Sequence, residues 1–224
     1  MIPWEEIDRV KIPGHDGDIT LRKRGAEFSI RTIETELMNS RLHGSEDSLA
    51  KLAFSRIKQK SGARILIGGL GMGYTLAAAL EQSEPDTQIT VSELVPAVVR
   101  WNREHLGHLA GKPLDDHRVK VVEEDVVKVI GKTKAAWNAI LLDVDNGPEG
   151  LTRKANDRLY DKSGLKASFN ALRPKGVLAI WSSGPNEPFT RLLAQCGFQT
   201  QTITVHARKP GKGGNHIIWL AGKP

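Results

Sequence analysis

The chain has 224 residues, 39% of them hydrophobic and one of them cysteine. This suits one domain with a buried core, alone or with a small appendage, and Cys196 by itself excludes an internal disulfide or a cysteine-based zinc cluster. No apolar run approaches the roughly 20 residues of a membrane span, and the start, Met1-Ile2-Pro3-Trp4, lacks the basic and apolar regions of a signal peptide, so no membrane contact and a cytoplasmic location are expected.

The formal net charge of +6 makes nucleic acid a partner to weigh. The charges are scattered, however, and the compact cluster of Arg208, Lys209 and Lys212 reads better as a solvated loop. In chain order, residues 18–38 alternate apolar and polar side chains on both sides of Gly25, the pattern of a β-hairpin. A hairpin of that size needs the main domain or a second subunit to pack on, which makes a homodimer one expected assembly. Residues 45–54 then show helical periodicity with Ser45 as N-cap. Residues 1–60 are accordingly assigned to an appendage of hairpin and helix, and 61–224 to the main domain.

The main domain is organised around residues 64–80, where the apolar run Ile65-Leu66-Ile67 stops at a glycine cluster and continues as an alanine-rich, helix-forming segment. Gly69, Gly71 and Gly73 supply positions where the backbone can turn with positive φ or approach a ligand with no Cβ in the way. The following helix points free N–H groups over the turn. Counted from Gly69, the dinucleotide pattern G-x-G-x-x-G fails at its sixth position, which is Tyr74, and the spacing is G-x-G-x-G.

Residues 88–93 form an alternating strand that ends in Glu93, twenty positions beyond Gly73. A carboxylate at the carboxyl end of a second strand can accept both hydroxyl protons of a ribose, whereas a merely solvated strand end is the plainer alternative. A helix over 95–109 follows, and its histidines 105 and 108 have no third ligand nearby, so no metal is expected. Residues 118–123 are the third strand, followed by Glu124 and Asp125, and Asp125 is also placed to cap a helix over 126–130. The uninterrupted apolar run 137–143 reads as a buried central parallel strand. It ends in Asp143 and Asp145, on the side of an open α/β sheet where ligand and catalytic groups collect. Residues 155–160 are placed to cover that side, ahead of a helix over 163–172, a strand over 176–182 and a helix over 187–196. Residues 198–206 and 215–221 close the chain as a hairpin.

With Gly-Gly-Leu-Gly-Met-Gly at 68–73, Val-Ser-Glu-Leu-Val at 91–95, Glu-Asp at 124–125 and Asp-Val-Asp-Asn-Gly-Pro at 143–148, the chain resembles the spermidine-synthase-like branch of the class I S-adenosylmethionine-dependent methyltransferases. The resemblance covers roughly residues 18–221. It implies an α/β, Rossmann-like methyltransferase fold, with a mostly parallel seven-stranded sheet, a C-terminal antiparallel hairpin and a small N-terminal β-hairpin. It further implies S-adenosylmethionine or its decarboxylated form as cofactor. Gly69, Gly71 and Gly73 would surround the amino-acid moiety, Glu93 would hold the ribose, and Asp125, with Glu124 as competitor, the adenine. Asp143 corresponds to the catalytic aspartate that deprotonates the attacking amine in spermidine synthases, and Asp145 is its neighbour in the same loop.

The sequence departs from that family in two places. The loop after Asp143 is shortened, with Asn146 where the family has proline. The family's acidic, tyrosine-containing motif before the glycine turn is replaced by Ser40-Arg-Leu-His-Gly-Ser-Glu46. The carboxylates and aromatic faces that a diamine tunnel needs are not found. The favoured expectation is therefore methyl transfer to a small molecule, an amine by preference, in part because methylation is the commoner chemistry of the fold. Aminopropyl transfer in polyamine synthesis is the alternative, and a non-catalytic nucleic-acid-binding module carries the least weight.

Overall fold

Two sheets are laid down in succession in this computed structural model, which describes residues 2–144, 157–206 and 214–224. The first is antiparallel and pairs β1 (Glu5–Lys11), β2 (Asp18–Arg24), β3 (Glu27–Arg31) and β4 (Glu36–Asn39) in that order. The expected hairpin is its β2–β3 centre, turning at Gly25. β1 went unread because Glu5-Glu6-Ile7-Asp8-Arg9-Val10-Lys11 carries only two apolar side chains and stays exposed or half-buried along its length.

The second sheet contains β5 (Arg64–Gly68), β6 (Gln88–Ser92), β7 (Val119–Val122), β8 (Trp137–Leu142), β9 (Leu172–Ser182), β10 (Gln199–His206) and β11 (Asn215–Gly222), in the spatial order β10-β11-β9-β8-β5-β6-β7. Neighbours from β9 to β7 run parallel, and β11 is antiparallel to both β9 and β10. This is the mostly parallel seven-stranded sheet with a closing hairpin that the sequence predicts. The helices are α1 (Gly44–Arg56), α2 (Tyr74–Glu81), α3 (Pro96–Trp101), α4 (Val126–Gly131), α5 (Asp157–Tyr160), α6 (Lys162–Ala171) and α7 (Glu187–Gln195).

Side chains alternate across a strand, so each central strand serves two cores. Ile65, Ile67, Ala139, Leu141, Val177 and Ala179 point to one face, where they join α1, α2 and α3. Leu66, Ile140, Leu142, Leu178 and Ile180 point to the other, against α4, α6 and α7. The N-terminal sheet shares the first core through Leu21, Phe28 and Ile30. It is also fastened by Asp8, which accepts from Trp101 Nε1 at 2.7 Å and from Arg100 at 2.6 Å. Trp101 is fully buried, and its hydrogen bond is the leading cause that holds the Asp8 carboxyl below its usual range. Asp8→Ala leaves the indole N–H without that partner and is expected to lower stability by about 1–3 kcal/mol in urea denaturation.

Three boundaries differ from the sequence reading. Ser45 is no N-cap: α1 begins at Gly44, its boundary residue is His43, and Ser45 Oγ instead donates to Glu46. The helix expected over 95–109 tightens and loosens in sections after Trp101, passing through a wider turn at Asn102–Leu106 and a tighter one at Gly107–Ala110. There Asn102 Nδ2 donates to the Gly71 carbonyl at 2.8 Å and to the Val98 carbonyl at 2.9 Å, tying the irregular segment to the glycine turn. β9 starts at Leu172, four residues before Gly176, because a register shift opposite Trp137–Ala139, with Lys175 at φ 63°, absorbs the extra residues without ending the strand. Among the described residues no helix is long and apolar enough to cross a membrane.

Candidate active site

The chain builds outward from β5 through β6 to β7 and then returns to place β8 on the other side of β5. Such a switch point opens a crevice at the carboxyl ends of the two strands. Here those ends are stitched together, for the Gly69 N–H donates to the Ser92 carbonyl at 2.9 Å and the Asp143 N–H to the Gly68 carbonyl at 3.0 Å. Gly69 has φ 87°, and a Cβ there would collide with the Asp143 carbonyl oxygen. Gly69→Ala therefore forces the strand ends apart, with an expected loss of about 2 kcal/mol or more in chemical denaturation. Gly73, at φ 84°, is the N-terminal boundary of α2.

A cavity of about 550 Å³ occupies the crevice, within the range of small-molecule sites. Gly69, Gly71, Glu93, Asp125 and Asp143 all line it, so five of the residues expected from sequence come together. Gly73 stands behind this wall, its Cα facing Pro113 and Asn102. The N-terminal sheet supplies another wall, including Ile30 and Met38. Asp145 lies outside the described residues, as does the basic cluster of Arg208, Lys209 and Lys212.

Glu93 is buried, and each of its oxygens takes a backbone donor: Oε2 from the Leu70 N–H at 2.8 Å, Oε1 from the Val95 N–H at 2.9 Å. It thus bridges the glycine turn to the start of α3. Asp125 caps α4, its Oδ1 accepting from the Val127 N–H at 2.9 Å. Its competitor Glu124 is engaged with Lys132 Nζ at 2.6 Å.

Asp143 Oδ2 accepts from Thr75 Oγ1, at 2.6 Å, in the first turn of α2. The residue as a whole is partly exposed, but its carboxyl group is enclosed, and desolvation raises its pKa against the opposing effect of the Thr75 hydroxyl. Beside it is a residue that the sequence reading passed over. Glu46, on α1, is buried and lines the same cavity. Burial first, and then the charge of Asp143, push its carboxyl up to about 7, against the hydrogen bond from Ser45 Oγ at 2.5 Å. Tyr74 closes this corner. Its ring stacks on His43 with centroids 4.2 Å apart, and its hydroxyl donates to the Ser40 carbonyl at 3.2 Å. Burial, and then Glu46 and Asp47, push that phenol up to about 12.

Across the sheet Tyr160 of α5 donates to the Val144 carbonyl at 3.3 Å, so the described part of the expected cover does reach the strand end that carries Asp143. Cys196 is buried away from the crevice, its thiol raised by burial. Among the described residues there is no group of three or more His, Cys, Asp or Glu side chains able to hold a metal ion.

This fold is that of spermidine synthase from Thermotoga maritima, which superimposes with a TM-score of 0.78 at 17% identity over 98% of this chain and 73% of that one. Among curated proteins, a polyamine aminopropyltransferase of Prochlorococcus marinus (strain AS9601) is 29% identical over 140 residues, 62% of this chain and 47% of the relative. Another, from Prochlorococcus marinus (strain MIT 9301), is 25% identical over 186 residues, 77% of this chain and 63% of the relative. The chain thus spans about half to just under two thirds of the length of these relatives. The model of the spermine/spermidine synthase domain matches residues 47–192, which include Gly69, Glu93, Asp125 and Asp143. By that match, over most of its length, the chain belongs to the spermine/spermidine synthase family.

Proposed function

We propose that the chain transfers an aminopropyl group from decarboxylated S-adenosylmethionine to an amine acceptor. The observation that carries this reading is the enclosed carboxyl of Asp143 at the switch point, in one cavity with Glu93 and Asp125, in a chain whose curated relatives are named aminopropyltransferases. Methyl transfer, the reading the sequence favoured, has no comparable support among these relatives.

The residues fit such a nucleoside. Glu93 lines the cavity as a carboxylate suited to ribose hydroxyls, Asp125 lines it as an acceptor for an exocyclic amine, and the turn at Gly69 and Gly71 borders the same space. In the reaction the acceptor nitrogen forms a bond to the propyl carbon attached to sulfur. That C–S bond breaks, its electron pair stays on sulfur, and methylthioadenosine leaves as a neutral thioether. The proton lost by nitrogen goes to Asp143, whose raised pKa makes it a stronger base than an exposed aspartate.

The test is to incubate the protein with S-adenosylmethionine or its decarboxylated form and a panel of amines, following products by mass spectrometry. Methylthioadenosine with an amine heavier by one aminopropyl unit is the expected result. Adenosylhomocysteine with a methylated acceptor would reinstate methyl transfer instead.

A further inference from the structure

A second cavity, of about 700 Å³, opens at the amino-terminal edge of the parallel strands, away from the switch-point crevice. Three parts of the chain wall it. Arg56 ends α1 and Lys58 follows it, Lys175 and Gly176 come from β9 at its register shift, and Thr200, Gln201 and Lys223 come from β10 and the residue after β11. The Lys223 N–H donates to the Gly176 carbonyl at 2.8 Å and joins two of these parts. α1 thus runs from one cavity to the other, with Glu46 near its start and Arg56 at its end.

Four cations, Arg56, Lys58, Lys175 and Lys223, line this space, and among its described lining residues there is no aspartate, glutamate or aromatic ring. Nor does any described carboxylate pair with one of the four. The partners that the fold does give them are neutral. Arg56 donates to Gln201 Oε1, and Lys223 Nζ donates to the carbonyls of Phe169 and Leu172 at 2.7 and 2.8 Å. Burial holds the Lys223 ammonium below the ordinary lysine value. Plain structural roles account for two of the cations, since Arg56 also complements the carbonyl end of α1 and Lys223 ties down the end of β11. They do not account for Lys58 and Lys175. Lys175 stands at φ 63°, a conformation that favours glycine or asparagine, so a lysine is kept where the backbone alone would select another residue.

We propose that this cavity binds a linear polyphosphate and holds it by the phosphate groups alone. Walls of one sign concentrate the field in a cleft and draw in anions, and lysine and arginine both take phosphate oxygens. Four cations call for several phosphates rather than one. With no ring among the described walls, a nucleotide base has nothing to stack on, and the chain of phosphates is what the site can read. The inference stands apart from the transferase reading, because no residue of the crevice takes part in it.

Titration calorimetry with tripolyphosphate, orthophosphate, cytidine triphosphate and a single-stranded oligoribonucleotide tests it, at low salt and at about 0.15 M salt. Tripolyphosphate is expected to bind at one site and to weaken as salt rises. Orthophosphate binds about tenfold or more weakly, and cytidine triphosphate no more tightly than tripolyphosphate. Lys58→Gln and Lys175→Asn are each expected to weaken tripolyphosphate by about threefold to tenfold. Lys120→Gln, which removes an exposed cation from β7 at the opposite edge of the sheet, leaves it unchanged. Asparagine suits the backbone at 175, so that variant is expected to melt no lower than the native chain. Absence of saturable tripolyphosphate binding at low salt overturns the proposal, as does an equal loss in Lys120→Gln. Tighter binding of cytidine triphosphate would show that a base is read as well. An oligoribonucleotide that displaces tripolyphosphate and depends on the same two lysines would make the cavity part of a nucleic-acid surface instead.

Discussion

Asp143→Asn is expected to lower the turnover of aminopropyl transfer by roughly two to four orders of magnitude, the range spanned by loss of a positioned general base. Asparagine preserves the size of the side chain and can still accept from Thr75 Oγ1, so the fold and the nucleoside affinity change far less than the rate. Turnover should be measured with both substrates saturating, with binding of methylthioadenosine as the control. Near-native turnover would reduce Asp143 to a strand-end carboxylate. The pH profile carries the same information. A base acts only when deprotonated, so the rate rises with pH, and the acidic limb belongs to the Glu46–Asp143 pair and lies above the ordinary carboxylate range, because burial raises both groups. In Glu46→Gln the charge that Asp143 faces is gone, and the limb moves to lower pH.

Glu93→Ala is expected to weaken nucleoside binding by about 1–3 kcal/mol, or roughly tenfold to a hundredfold. Two effects contribute. The ribose loses its acceptor, and the Leu70 and Val95 N–H groups lose theirs, so the glycine turn and the start of α3 are no longer joined by one side chain. The second effect also costs stability, which urea denaturation separates from the first. Calorimetry with adenosine and 2′-deoxyadenosine distinguishes the two within the binding loss. If Glu93 holds the ribose, the native chain favours adenosine and the alanine variant does not. Equal losses for both nucleosides would leave Glu93 as a structural clasp only.

The five clustered residues Gly69, Gly71, Glu93, Asp125 and Asp143 were all legible because each is marked by local backbone chemistry. Positive φ demands glycine at a tight turn, a strand's end is marked by where its apolar run stops, and the carboxyl ends of parallel strands share one edge of the sheet. Glu46 had no such mark. It ends the stretch 40–46 that stands in place of the family's motif, where the sequence offers Ser45 as a helix cap. The choice between methyl and aminopropyl transfer leaned on an acceptor motif that the sequence does not show, whereas the curated relatives, named polyamine aminopropyltransferases, favour the second.

What the sequence determined by itself was the alternation that assigns Ile65 and Ile67 to one core and Leu66 to the other, the glycine turn, and the sheet that follows from both. Those depend on periods of two residues and on φ at single positions, which neighbours along the chain decide. Only the tertiary structure decided that β1 joins the N-terminal sheet, that this sheet walls the cavity, and that α1 sets Glu46 against Asp143. Those depend on which surfaces dock, and docking is settled by burial of the shared core of Leu21, Leu49 and Met72, residues far apart in sequence that bear no local sign of one another.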